Sequence, residues 1–241
     1  MAMVTLNRPE RLNTIVPPMP EEFEAAIKQA TEDEAVKVII VRGAGRSFSG
    51  GYDFGGGFSH WDEQITTEGK WDPGKDFAWA TDRLVAPTQK FMSMWHSHKP
   101  VIVQVHGWCV GGASDTVLCG DLIIASEDAT FGLPEIDRGA LGAATHLMRL
   151  VPVQRARWML YSCERVTAEE LHSYGSVLRV VADDQLSAEA SELASVIAGK
   201  DPTVIRAAKA SLNAIEPVEM ADSYRLEQGY TFELNLLGLG D

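Results

Sequence analysis

The stretch Val101-Ile102-Val103-Gln104-Val105-His106-Gly107-Trp108-Cys109-Val110-Gly111-Gly112-Ala113-Ser114-Asp115 runs from an apolar strand through a glycine-rich turn into the start of a helix. Its first five residues are apolar everywhere except Gln104, the pattern of a strand covered on both faces. Gly111 and Gly112 then permit a sharp bend or the close approach of another segment. A short helix from about Gly112 leads to the next strand, Leu122-Ile123-Ile124-Ala125.

The same order recurs upstream. Val36-Lys37-Val38-Ile39-Ile40-Val41 reads as a strand, and a second glycine turn follows it, Phe48-Ser49-Gly50-Gly51-Tyr52-Asp53. Val4-Thr5-Leu6 reads as the end of a first strand. Residues 20–30 read as a helix, with Pro20 near its start and Phe23, Ala26 and Ile27 at helical spacing. A further helix, containing Leu84, Phe91, Met92 and Trp95, precedes Val101. This alternation implies an α/β fold with a mostly parallel sheet, whose ligands bind beyond the carboxyl ends of the strands, where both glycine turns fall.

From about Val151 onward helices are expected over 154–162, 167–174, 188–198, 202–215 and 218–237. Thr167-Ala168-Glu169-Glu170 has the form of a capping box. A boundary after Val177-Leu178-Arg179-Val180-Val181 divides a core, 1–181, from a helical region, 182–241. Residues 55–87 carry Gly55-Gly56-Gly57, Trp61, Trp71 and Trp79 with little helical regularity before Phe77. They read equally well as a lid or as a locally packed surface loop.

Two such turns can aim two backbone N–H groups at one oxygen, an oxyanion hole that stabilises charge developing on a carbonyl. Pro134-Glu135 follows Asp115 by twenty residues, so two carboxylates can stand beside one hole, one moving a proton while the other positions water or substrate. Asp53 and Asp121 read instead as residues that stabilise loops or turns.

Composition narrows the classes. The 241 residues suffice for a substantial core, and a net charge of −13 opposes nonspecific binding to nucleic acid or an anionic membrane. Cys109, Cys119 and Cys163 are an odd number without metal-ligand pairing, which points to a reduced, cytoplasmic protein, packed cysteines and no metal site. The first residues lack a basic flank and an apolar core, and no run approaches the roughly 20 apolar residues that span a bilayer, so neither export nor insertion is expected.

Four ordered segments resemble the crotonase superfamily, also called the enoyl-CoA hydratase/isomerase family, across nearly the whole chain. Leu6-Asn7-Arg8-Pro9-Glu10-Arg11-Leu12-Asn13 is similar to its N-terminal signature, Phe48 through Asp53 to its first oxyanion loop, and Gly107 through Asp121 to its second. Phe131-Gly132-Leu133-Pro134-Glu135-Ile136 completes the order. The resemblance implies a crotonase-like spiral of ββα units followed by C-terminal helices that assemble a homotrimer, often paired into a hexamer. It implies an acyl-CoA thioester substrate, with coenzyme A as part of that substrate and no separate cofactor. The thioester oxygen would receive the N–H groups of Tyr52 and Gly112, in turns that also use Gly50, Gly51 and Gly111.

Glu135 matches the family's proton-transferring position and Asp115 the other acidic position, where the hydratases commonly carry Glu. The shorter Asp side chain withdraws its oxygens by ~1.5 Å, about one C–C bond. Some dienoyl-CoA isomerases add a third acid where this chain has Ala143. His146, in Gly139-Ala140-Leu141-Gly142-Ala143-Ala144-Thr145-His146, is a candidate pocket residue where the hydratases carry small ones. Arg8, Arg11 and Lys90 are candidate CoA phosphate contacts, and Tyr52 and Trp108 would flank a bulky or ring-containing acyl group. The leading expectation is an enoyl-CoA hydratase, a lyase adding water across an α,β-unsaturated thioester. The alternatives are an enoyl-CoA isomerase or a hydrolase that opens a cyclic acyl-CoA, and a non-catalytic acyl-CoA-binding protein.

Overall fold

The computed structural model describes residues 1–53, 59–61, 64–82, 86–138 and 151–215. Gly55-Gly56-Gly57, Leu84, Ala143, His146 and the helix expected over 218–237 lie outside them. The chain builds strands β1 (Ala2–Leu6) and β2 (Ile39–Gly43) around helix α1 (Met19–Glu32). A hairpin of β3 (Thr66–Thr67) and β4 (Lys70–Trp71) leads to α2 (Pro73–Thr81), α3 (Pro87–Phe91) and α4 (Ser93–His96). Then come β5 (Val101–Val105), β6 (Trp108–Val110), α5 (Gly112–Leu118), β7 (Leu122–Ser126) and β8 (Thr130–Gly132). The last described elements are α6 (Val153–Ser162), β9 (Val166–Thr167), α7 (Ala168–Ser173), β10 (Arg179–Val181), α8 (Leu186–Ala198) and α9 (Pro202–Ile215).

Five strands make a parallel sheet in the order β1-β2-β5-β7-β10, as the apolar strand runs require. Alternate side chains separate its faces. Ile39, Val41, Val101, Val103 and Val105 join the main core with Phe23 and Ile27 of α1, Phe91 of α3 and Ala113 and Val117 of α5. Val38, Ile40, Ile102 and Ile124 pack instead on Leu186, Ala190 and Ala194 of α8, so a helix beyond residue 181 covers the sheet's second face. A smaller sheet, β6-β8-β9, is extended by the bridges Ser49 to Cys109 and Ile15 to Tyr52. The long strand β5 thus bends into the short β6 before α5, which is the ββα unit of the expected spiral.

The second strand starts three residues later than its sequence suggests, at Ile39 instead of Val36. The Val36 N–H closes a turn on Asp33 O (3.0 Å), and pairing begins only where Val38 O accepts from Ala2 N–H (3.0 Å) and Ile39 N–H reaches Pro100 O (2.9 Å). The helix expected before Val101 is two short helices that meet at Met92. Before Phe77, where little helix was expected, α2 begins at Pro73. Asp72 accepts from the N–H groups of Gly74 (2.9 Å) and Lys75 (3.2 Å), an Asp-Pro start legible in the sequence. Half of the capping box forms. Thr167 Oγ1 accepts from Glu170 N–H (3.2 Å), whereas the Glu170 carboxylate turns to Arg155 and Tyr174.

Candidate active site

The two glycine turns meet beyond the carboxyl ends of β2 and β5. Gly51 has φ +79°, and a Cβ there would lie 2.6 Å from Val110 O and 3.2 Å from Gly112 N, so only glycine lets the first turn close on the second. Gly111, at φ +57°, precedes α5 as its N-cap.

The direction of both candidate donors follows from pinned carbonyls. Gly51 C=O accepts from Ile15 N–H at 2.8 Å, and Asp53 N–H donates to Ile15 O at 3.0 Å. In a trans peptide the N–H is antiparallel to the C=O, so the N–H of Tyr52 points away from Ile15. Gly111 C=O accepts from Ser114 N–H (2.9 Å), which turns the Gly112 N–H outward from the first turn of α5, where helical N–H groups lack an intrahelical acceptor.

The two acids lie on segments that flank this turn. Glu135 follows β8, and its Oε1 lies 3.3 Å from where a Cβ on Gly111 would stand. Asp115 occupies the first turn of α5 and is 2% exposed. Cys109 of β6 is fully buried; burial, with the Asp115 carboxylate adding to it, pushes its thiol far above the ordinary range, which leaves it unreactive.

The other candidates have internal partners. Gly50 N–H donates to Leu12 O (2.8 Å). Arg8 Nη1 donates to Thr14 O (3.3 Å), Thr14 Oγ1 (2.8 Å) and Asp53 Oδ2 (2.9 Å), and Arg11 Nη2 reaches the same carboxylate at 3.2 Å. Arg8 and Arg11, the candidate CoA phosphate contacts, thus both meet the Asp53 carboxylate, and Arg11 remains half exposed. Lys90 pairs with Glu24 (3.0 Å), and the Trp108 ring carries the Arg165 guanidinium 4.3 Å above its centroid.

Sequence reasoning missed the aromatic support of the first turn. Trp61, 1% exposed, donates Nε1–H to Asp53 O (3.0 Å), and its ring meets those of Tyr52 (5.8 Å) and Trp79 (5.4 Å) edge-on. These two tryptophans of the long irregular stretch are thus packed locally. Asn13 was also missed: Nδ2 donates to Ala44 O, Ser47 O and Phe48 O, joining the N-terminal signature to the first turn. Among the described residues no cluster of three His, Cys, Asp or Glu could hold a metal, and no helix is long and apolar enough to cross a membrane.

A spiral of ββα units in which two glycine turns close on each other beside Glu135 is the architecture of a crotonase-type enzyme. The chain belongs to the enoyl-CoA hydratase/isomerase family, whose model matches residues 1–234. It is 43% identical over 220 residues to the (7aS)-7a-methyl-1,5-dioxo-2,3,5,6,7,7a-hexahydro-1H-indene-carboxyl-CoA hydrolase of Rhodococcus jostii (strain RHA1), covering 91% of this chain and 80% of that protein. The hydrolase of the same description from Mycobacterium tuberculosis (strain ATCC 25618 / H37Rv) is 44% identical over 216 residues, covering 90% of this chain and 82% of its own. A solved structure, the probable enoyl-CoA hydratase from Mycobacterium thermoresistibile, superposes with a TM-score of 0.82 at 30% identity, over 98% of this chain and 92% of the other.

Proposed function

We propose that this chain is an acyl-CoA hydrolase that opens a carbon ring bearing a ketone β to the thioester. The observation that carries the reading is the closure of the Gly51-Tyr52 turn on the Gly111-Gly112 turn beside Glu135, and the likeness to two hydrolases of a bicyclic dioxo acyl-CoA supports hydrolysis among the family's reactions. A hole built for a thioester oxygen stabilises an enolate. Ring cleavage that yields this enolate breaks the bond between the α-carbon and the ketone carbon. Glu135 accepts a proton from water while Asp115 holds that water, and the hydroxide adds to the ketone. The C–C bond then breaks, its electrons pass into the thioester as the enolate, and Glu135 returns the proton to the α-carbon. The products are a carboxylate and a saturated thioester in one molecule. CoA enters as part of the substrate.

The second reading is hydration of an enoyl-CoA, in the lyase class. It is favoured by the same Asp115 and Glu135 pair, since conjugate addition of water uses the same enolate. Both reactions add the mass of water, so proton release separates them. The protein is given 2-oxocyclohexanecarboxyl-CoA and crotonyl-CoA near pH 8. Ring opening releases one proton per turnover from the first; turnover of crotonyl-CoA alone, without proton release, would assign hydration. Loss of both activities in Glu135→Gln is expected on either reading. Assembly as a homotrimer or hexamer in a reduced, cytoplasmic setting is part of the proposal, with mass photometry the check on assembly.

A further inference from the structure

We propose that Asp53, held by Arg8, Arg11 and Thr14, is a positioning residue for the Tyr52 oxyanion donor, and that the two arginines serve this turn instead of a CoA phosphate. The inference rests on the oxyanion reading of the site but not on which reaction the hole serves.

Asp53 follows Tyr52 directly and is anchored on every side. Its carboxylate accepts from Arg8 (2.9 Å), Arg11 (3.2 and 3.3 Å) and Thr14 Oγ1 (3.1 Å). Its N–H donates to Ile15 O, and its C=O accepts from the Trp61 indole. On the other side of Tyr52, Gly51 C=O is held by Ile15 N–H and Gly51 N–H donates to Ser49 Oγ at 3.1 Å. The peptide carrying the Tyr52 N–H therefore lies between two fixed points. One is a backbone bridge; the other depends on ionised side chains from a segment more than forty residues away.

Energy decides what this cluster supplies. Asp53 is 4% exposed, and the desolvation of a buried carboxylate offsets most of its attraction to a cation, so the ion pairs add little net stability. They add direction. Arg8 bonds Thr14 and Asp53 together while its own N–H donates to Asn13 Oδ1 (2.8 Å), and Asn13 Nδ2 holds Phe48 O (3.1 Å), so one continuous network reaches both ends of the turn. An oxyanion hole works because its donors are aimed before charge develops, and a misplacement of about 1 Å can cost 10²-fold in rate.

The test compares the wild type with Asp53→Asn, Arg8→Lys and Arg8→Met, using 4-(dimethylamino)cinnamoyl-CoA as the bound probe. Its absorption moves to longer wavelength when its carbonyl is polarised. The wild type is expected to red-shift the probe. Asp53→Asn is expected to lose more than half of that shift and to lower kcat by about 10- to 100-fold, less than deletion of a donor, with the probe's Kd within about threefold of wild type. Arg8→Met is expected to behave alike, with partial recovery in Arg8→Lys. Acyl-pantetheine thioesters, which lack the nucleotide phosphates, separate the two roles of the arginines. Positioning lowers kcat equally for CoA and pantetheine substrates, whereas phosphate binding raises KM for the CoA substrate alone and would overturn the assignment.

A wild-type red shift retained in full by Asp53→Asn would also overturn it while leaving the hole intact. Absence of a shift in the wild type would instead reject the hole, and the positioning role with it. Should Asp53→Asn fail to fold, Arg11→Gln leaves Arg8 on the carboxylate and is read by the same shift, reduced in support and unchanged in refutation.

Discussion

The ring of Tyr52 lies across the α-carbon of Gly112, so that a methyl group at 112 would overlap Cδ2 and Cε2 of the ring. Both residues are candidate oxyanion donors, and the side chain of one is thereby accommodated only by the absence of a side chain on the other.

Gly112→Ala is expected to force the Tyr52 ring aside and to cost about 100-fold in kcat, because the collision displaces two donors at once. Tyr52→Gly combined with Gly112→Ala removes the collision and should recover at least tenfold of the loss, roughly 1.4 kcal/mol of barrier. Steady-state kinetics of the two single variants and the double variant measure the coupling, and additive losses would dismiss the steric account.

Glu135→Gln and Asp115→Asn should separate in kind. If Glu135 moves the proton at the α-carbon, its amide variant loses about 10²- to 10⁴-fold in kcat and also loses exchange of that proton with deuterium oxide. Asp115→Asn, which keeps a group able to hold water, should retain the exchange. NMR of a non-reacting saturated acyl-CoA in deuterium oxide reads this directly.

Lys209 ties α9 to the core. It is 6% exposed, and its Nζ donates to Met94 O (2.9 Å), Lys99 O (3.0 Å) and Asp121 Oδ2 (2.7 Å). Lys209→Met should destabilise the fold by about 2 kcal/mol in urea unfolding, below the ~3–5 of a fully buried pair because Asp121 keeps 21% exposure. Burial holds the Lys209 ammonium below its usual 10.5, with Asp121 pulling upward. The unfolded chain thus binds this proton more tightly, and stability rises with pH between the lowered folded value and 10.5. The gap between wild type and Lys209→Met should therefore widen from pH 8 to 10.

Arg155 makes a two-pronged contact with Glu170, Nε to Oε1 at 2.5 Å and Nη2 to Oε2 at 3.0 Å. That hydrogen bonding holds the Glu170 carboxyl below its usual 4.5. A depressed folded value stabilises the protein above 4.5 and is lost as pH falls through it. With Glu170 31% exposed, solvent screening limits the pair to under about 1 kcal/mol. Arg155→Gln should show that deficit at pH 7 and little of it near pH 3; a constant deficit would mean that Arg155 acts by packing alone.

The elements with strong local signals matched their sequence. Val101–Val105 has the bounds that its apolar run gives, and α9 begins and ends where the pattern of residues 202–215 does. The two glycine turns were legible as turns, because a positive φ or a close approach selects glycine at the level of one residue. The Arg8 to Asp53 contact spans 45 positions and the Lys209 to Asp121 contact 88, and neither leaves a local trace. An arginine reads the same whether it will meet a phosphate or a buried carboxylate.

By itself the sequence determined an α/β chain with buried parallel strands, two turns that require glycine, and two acids placed after them, since side-chain volume, φ preference and hydrophobic period act over a few residues. Only the tertiary structure decided that Gly51 would close on Gly112, that Ile15 would turn the Tyr52 N–H outward, and that Asp53 would take both arginines. Those outcomes depend on which distant segments the core brings within 3 Å of one another. Pairing across that distance is set by packing of the whole sheet and its helices, a property that no window of sequence contains.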